Sequence, residues 1–62
     1  MITIKFSTSN SAFEHDPYGE VSAILESIAQ NFIEQEYHSN DHRKIYDSNG
    51  NTVGELIIHE EF

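Results

Sequence analysis

The chain has 62 residues, with eleven Asp and Glu against three Lys and Arg, a formal net charge of −8, and no cysteine. A chain this short forms one small domain with a modest core, and without cysteine it has neither disulfides nor thiolate metal sites. The acidity opposes direct binding to nucleic acid and favours basic protein surfaces, although acidity that only keeps a small protein soluble is the plainer interpretation.

The chain opens with Ile2 to Phe6, where apolar and polar side chains alternate, which predicts a half-buried strand. A loop rich in Ser and Asn follows, and we expect Phe13 to pin it to the core. Asp16 and Pro17 then suit the N-cap and the first position of a helix. We expect this helix to continue to Tyr37.

One face of the predicted helix is apolar, because large apolar residues recur at steps of three and four. The residues of this stripe are Val21, Ile24, Leu25, Ile28, Phe32 and Ile33.

Two further β-favouring segments, Arg43 to Tyr46 and Thr52 to His59, flank an Asn-Gly pair and predict a hairpin. The second segment is the richer in β-branched residues, so we expect it to be the central strand. Gly54 interrupts its alternation, which predicts a bulge or a close backbone approach. The sequence therefore predicts a single α+β domain over residues 1–62 with the order β-α-β-β. Its antiparallel sheet should have three strands in the order 1-3-2, with the helix packed on one face.

The hairpin turn also has features of a calcium site. Asp47, Asn49 and Asn51 match positions 1, 3 and 5 of a calcium loop, but that loop needs glycine at position 6 and glutamate at position 12. Here those positions hold threonine and isoleucine, and Gly50 falls at position 4. We therefore interpret the segment as a turn, in which Asn-Gly tolerates positive φ angles.

Zinc binding and catalysis are weaker hypotheses. His38 and His42 are four residues apart and would share one side of a helix, with Asp41 or Glu36 as a further zinc ligand. However, the segment HSNDH is typical of a helix end, so solvent-exposed histidines are the preferred interpretation. No motif places a nucleophile beside a base, and so short a chain leaves little room for a substrate pocket. We expect no metal, no cofactor and no enzymatic activity.

No apolar run reaches the length of about twenty residues that a membrane-spanning helix needs. The N-terminus also lacks the basic start and apolar core of a signal peptide. We therefore expect a cytoplasmic protein that does not bind membranes.

Two motifs, an N-x-A-F-E-x-x-P loop and a D-x-N-G-N-x-V-G hairpin, lie on either side of the amphipathic helix. With them, nearly the whole chain resembles a group of small acidic phage and prophage proteins; it departs from them in the longer segment EQEYHSNDHRK. The resemblance implies phage origin and a place in the host cytoplasm, but no particular activity. Small acidic phage proteins frequently block a host protein, as anti-CRISPR and DNA-mimic inhibitors do, which is an analogy about the class. The matching residues are Asn10, Ala12, Phe13, Glu14, Pro17, Glu20, Val21, Ile24, Leu25, Asp47, Asn49, Gly50, Asn51, Val53 and Gly54.

The leading hypothesis is a non-enzymatic phage protein that binds and inhibits a host defence protein, for example a CRISPR–Cas complex, through an acidic surface. Its partner would be a host protein with a basic surface. The alternative is an accessory or structural phage protein that forms homo-oligomers, through an edge strand or the helix, without a host target. Steep salt dependence of binding would separate the two. The predicted partner-binding residues are Glu14, Glu20, Glu26, Glu34, Glu36, Tyr37 and Asp41.

Overall fold

A computed structural model describes residues 1–60 of the chain. They form strand β1 (Ile2–Phe6), a short 3₁₀ helix (Ser11–Phe13), helix α1 (Pro17–Ile33), strand β2 (His42–Tyr46) and strand β3 (Thr52–Ile58). The strands make an antiparallel sheet in the order β1-β3-β2. The predicted fold class, the central position of β3 and the two edge strands are therefore confirmed.

The core lies between α1 and one face of the sheet. Alternation along β3 points Leu56 and Ile58 toward the helix, and both are fully buried. Phe13 is also buried, so the prediction that it pins the loop to the core is confirmed. The remaining buried apolar side chains are Ile24, Ile28 and Ile45. Burying a side chain of this size stabilises a protein by roughly 1.5–3 kcal/mol, so the loss of any one of them matters in a core this small.

Helix α1 begins as the sequence predicts. The Asp16 side chain accepts a hydrogen bond from the Gly19 amide at 3.0 Å, which satisfies one of the free amides of the first turn. Pro17 occupies the first position, where its missing N–H has no cost.

The helix ends at Ile33, so the prediction that it continues to Tyr37 is wrong. Gln35 adopts the left-handed conformation, with φ of 58°. The Glu36 amide then donates to the Asn31 carbonyl at 2.9 Å, and the Gln35 amide donates to the Phe32 carbonyl at 3.1 Å. These two bonds form a Schellman motif, which closes the helix without a glycine.

The predicted apolar stripe is only partly buried. Ile24 and Ile28 are buried, but Leu25 and Ile33 are 47% and 72% exposed, so these two members of the predicted stripe lie outside the core. Ile33 follows Ile24 by nine residues, which is two and a half turns and places the two side chains about 180° apart. A stripe this wide exceeds what one face of a small sheet can cover.

The hairpin turn differs in detail from a tight Asn-Gly turn. The Asp47 amide donates to the Asn51 carbonyl at 2.9 Å, and the Gly50 amide donates to the Asp47 carbonyl at 3.0 Å. Gly50 has a φ of 83°, whereas Asn49 does not have a positive φ. The connection is therefore a loop of Ser48, Asn49 and Gly50 that ends on a left-handed glycine, a common alternative for hairpins.

Gly54 combines the two features predicted for it. The pairing of β2 with β3 shifts register between Ile45 and Tyr46, next to Gly54. In addition, a Cβ atom on Gly54 would overlap the Lys5 carbonyl oxygen and the Phe6 backbone. Glycine is therefore required because the backbone of β1 approaches β3 closely at this position, next to the bulge.

Candidate interaction surface

The hairpin loop is organised by the carboxylate of Asp47. Its Oδ1 atom accepts hydrogen bonds from the amides of Asn49 at 3.0 Å and Asn51 at 2.9 Å, and its Oδ2 atom accepts one from Asn10 Nδ2 at 3.1 Å. The hydrogen bond from Asn10 contributes most, and those from the two backbone amides add to it, so the pKa of Asp47 is held below its ordinary value. Asp47 is only 6% exposed, and its oxygens face N–H donors. The carboxylate therefore stabilises the turn.

Glu20 ties helix α1 to the same loop. Its Oε2 atom accepts from the Ser48 amide at 2.7 Å, and its Oε1 atom accepts from Ser48 Oγ at 2.9 Å. Glu20 is one of the predicted partner-binding residues, and the structure places it in an internal contact. Together with the Asn10–Asp47 bond, it joins the loop motif, the helix and the hairpin motif. Several residues of these two motifs therefore hold the scaffold together.

Tyr37, another predicted partner-binding residue, is half-buried. Its ring packs on Phe32 with centroids 4.6 Å apart, and its hydroxyl accepts from Asn31 Nδ2 at 3.1 Å. The Arg43 guanidinium lies 5.4 Å from the ring centroid, within the range of a cation–π interaction. Tyr37 therefore packs the C-terminal end of the helix against β2.

Asp41 is likewise engaged within the fold. Its Oδ2 atom accepts from the His38 amide at 2.9 Å and from Arg43 Nη2 at 3.0 Å. The hydrogen bond from the His38 amide, which contributes most, and the charge of Arg43 lower the pKa of Asp41. Arg43 also donates to the Glu36 carbonyl at 3.1 Å, so these bonds order the segment between helix and hairpin.

His38 and His42 do not share a helix, because α1 ends before either of them. The His42 ring bonds instead to Glu55 Oε1 across the sheet at 2.5 Å. In the part of the chain that the structure describes, no group of three or more His, Asp or Glu side chains is placed to hold a metal ion.

The remaining predicted partner-binding residues, Glu14, Glu26, Glu34 and Glu36, are exposed. The pattern of charges in the sequence does not identify the exposed apolar side chains that lie beside Glu26. Tyr18, Leu25 and Ile33 are 86%, 47% and 72% exposed. Steps of seven and eight residues keep these three on one side of α1. The outer helix surface, as we call it, consists of Tyr18, Leu25, Glu26 and Ile33.

Charge divides between the two layers of the molecule. No Lys or Arg occurs between Lys5 and Arg43, so α1 and its flanking loops carry carboxylates and no such cation. All three Lys and Arg residues lie in the edge strands β1 and β2. The helix layer is therefore acidic, and the sheet layer holds the cations.

The sheet face opposite α1 has its own charge cluster. The register places Lys5 and Lys44 on either side of Glu55, and Lys5 Nζ lies 3.2 Å from a Glu55 carboxylate oxygen. The hydrogen bond with His42, which contributes most, and the hydrogen bond with Lys5 lower the pKa of Glu55. A concavity of about 670 Å³ borders this cluster. Because the carboxylate partly offsets the cations, the concavity is a poor anion site.

Comparisons of the chain with protein-family models, with curated proteins and with solved structures find no match. Within residues 1–60, no helix is both long enough and apolar enough to cross a membrane.

Proposed function

We propose that this protein is a non-enzymatic, phage-encoded interaction protein that binds a basic surface of a host defence protein and thereby inhibits it. The observation that carries the proposal is the outer helix surface, where Tyr18, Leu25 and Ile33 are exposed beside carboxylates. Acidity that only kept the protein soluble would not require apolar side chains aligned along the same surface.

The apolar side chains supply the anchors. Single exposed apolar residues are ordinary, but Tyr18, Leu25 and Ile33 share one side of α1 and extend over about 22 Å at a rise of 1.5 Å per residue. Tyrosine is over-represented among the residues that dominate binding energy, and Tyr18 is 86% exposed. A groove on a partner would bury these side chains as a row, in the way that grooves receive amphipathic helices.

The carboxylates select the kind of groove. Glu26 borders the apolar row, and no Lys or Arg of the helix layer offsets it or the neighbouring carboxylates. Such a surface attracts Lys- and Arg-rich sites and speeds association with them. Because the same cations bind the phosphates of nucleic acid, occupation of that groove would exclude the nucleic acid. Competition of this kind requires no catalytic group in the inhibitor.

Phage origin and a defence target rest on the resemblance of the loop and hairpin motifs to small acidic phage proteins. An anti-CRISPR protein is one inhibitor of this class. A non-enzymatic role accords with Asp47 and Glu20, whose carboxylates are occupied by the turn and by Ser48.

The test is recovery of a partner from a host lysate, followed by titration of the purified pair at several salt concentrations. Two variants probe the outer helix surface: Glu26→Lys and Tyr18→Ala. Each variant has a matched control elsewhere on the surface. The control for Glu26→Lys is Glu60→Lys, because the Glu60 side chain is also well exposed, and the control for Tyr18→Ala is Tyr46→Ala on β2. We expect the two helix variants to weaken binding at least tenfold and the controls to bind as the unchanged chain does.

Affinity for the partner should also fall steeply as salt rises, because the charges are solvent-exposed before binding. Nucleic acid added as a competitor should displace the protein from the partner. The proposal is wrong if the helix variants and their controls bind equally well, or if the partner holds nucleic acid and this protein at the same time.

A further inference from the structure

The two edges of the sheet differ in charge. The edge strand β2 carries Arg43 and Lys44 in succession, and Arg43 also contacts Tyr37 and Asp41. The edge strand β1 carries a single charged side chain, Lys5. Charged residues are the usual protection of a sheet edge against pairing with another chain. By this criterion the β2 edge is protected and the β1 edge is not.

The backbone of β1 has hydrogen-bonding groups that point away from the sheet. The His59 amide donates to the Met1 carbonyl and the Ser7 amide donates to the Val53 carbonyl, each at 2.9 Å. Since the bonding direction alternates along an antiparallel strand, the odd-numbered residues face β3. The amides and carbonyls of Ile2 and Ile4 therefore face outward, where a further strand would pair with them.

The side chains of the same residues are apolar and incompletely covered. Ile2 and Ile4 are the register partners of Ile58 and Leu56, so they lie on the core side of the sheet. They nevertheless remain 43% and 41% exposed. An edge with free hydrogen-bonding groups and exposed isoleucines is a template for strand addition.

We infer that β1 pairs antiparallel with β1 of a second copy of this chain, about a two-fold axis at Ile4, to form a continuous sheet of six strands. This register is self-complementary. Ile4 lies opposite the second copy's Ile4, and Ile2 lies opposite the second copy's Phe6, so apolar side chains meet on the core side. On the other face Thr3 lies opposite the second copy's Lys5, which avoids like charges in direct opposition.

Electrostatics favour a second copy at this edge over self-pairing of β2 or of α1. Two molecules of formal charge −8 repel each other, so they associate best where each is least acidic. At β1 the Lys5 charge is already matched by Glu55 at 3.2 Å. Pairing β2 with itself would oppose Arg43 and Lys44, and packing α1 against itself would bring carboxylates such as Glu26 together without cations.

The dimer does not rest on the proposed function. It places both α1 helices on the same side of the joined sheet and leaves both outer helix surfaces exposed. A partner with two basic sites would then be held by both helices, which raises the overall affinity.

Light scattering on the full chain over a range of concentrations provides the first test. We expect twice the monomer mass for the unchanged chain and for Tyr46→Lys on the β2 edge, but the monomer mass for Ile4→Lys. Circular dichroism shows whether each variant is folded. The chain has no cysteine, so Ile4→Cys adds a single thiol. The two Cα atoms paired across the two-fold axis would be about 5.5 Å apart, a distance that a disulfide spans, so this variant should cross-link under mild oxidation. Tyr46→Cys should remain uncross-linked.

Hydrogen exchange on the unchanged chain gives a readout that does not depend on the folding of a variant. The amides of Ile2 and Ile4 should gain protection as concentration rises, while those of Thr3 and Lys5 are protected at all concentrations. A monomer mass at every concentration overturns the inference. A dimer that survives Ile4→Lys but is lost with Tyr18→Ala also overturns it, because association then uses the outer helix surface.

Discussion

The two sides of helix α1 have the same apolar character but opposite environments. Ile24 and Ile28 are buried against the sheet, whereas Leu25 and Ile33 point to solvent. The neighbours Ile24 and Leu25 differ because a step of one residue turns the helix by about 100°. Apolar residues at helical spacing therefore indicate a helix, but they overstate the core when only one face is covered. The uncovered residues are the ones available to a partner.

The sharpest test of this difference substitutes one residue on each side. Ile28→Ala should lower the free energy of unfolding by about 2–5 kcal/mol, because it leaves a cavity in a small core. Leu25→Ala should cost under about 1 kcal/mol, because its side chain is already half-exposed. Urea denaturation of both variants measures the two losses. Equal losses would mean that Leu25 is a core residue after all.

Acid provides a second comparison, between carboxylates that are hydrogen-bonded inside the fold and the exposed Glu26 of the outer helix surface. Asp47, Asp41 and Glu55 have folded pKa values below their ordinary values of 3.8, 3.8 and 4.5. The unfolded chain therefore binds protons before the folded chain does. The stability that these groups contribute is complete above about pH 5 and is lost as pH falls through 4 and below.

Denaturation midpoints from pH 7 to pH 2.5 measure this loss. Asp47→Asn should be less stable at pH 7 and should lose less on acidification, because one of the three groups no longer titrates. Glu26→Gln, which alters an exposed carboxylate, should follow the unchanged chain. A midpoint that rises as pH falls from 5 to 3 would contradict the assignment.

Two glutamates of α1 offer a smaller effect. Glu20 accepts two hydrogen bonds from Ser48, whereas Glu26 is exposed on the outer helix surface. Glu20→Ala should therefore cost about 1 kcal/mol, and Glu26→Ala should stay within about 0.5 kcal/mol of the unchanged chain. Thermal melting of the pair would show the difference. If Glu26→Ala were the more destabilising, the tie between helix and hairpin would be unimportant.

The smallest expected effect is a gain. Gln35 has a φ of 58°, a conformation that costs a residue with a Cβ atom about 1 kcal/mol. Gln35→Gly should therefore stabilise the protein by up to about that amount. Ala29→Gly, on the exposed side of the helix, should instead cost about 0.5–1 kcal/mol. If both glycines destabilise, Gln35 does not end the helix in solution.

The helix start and the strands are predictable from the sequence because their determinants are local. The alternation of β1, the Asp16 cap and the β-favouring segments around Gly50 act over a few residues, and the structure agrees with each. The end of the helix was misplaced because Gln35 is not a residue that ordinarily takes a positive φ. No local pattern signals that exception.

The candidate interaction residues were predicted only in part. Charge identified the exposed glutamates, but it could not separate them from Glu20 and Asp41, which look alike in the sequence. Ser48 lies 28 residues from Glu20, so that contact exists only once the hairpin packs beside the helix. Leu25 and Ile33 were grouped with the buried residues of the apolar stripe for the same reason.

By itself, the sequence determined the acidic charge, the order of the elements, the helix cap and the need for glycine at Gly50, because each follows from composition or short-range geometry. Only the tertiary structure decided which apolar side of α1 is buried, and it alone brought Asn10 to Asp47 across 37 residues. Burial and long-range hydrogen bonds depend on how few strands cover the helix and which loops meet. A periodic pattern of side chains does not contain that information.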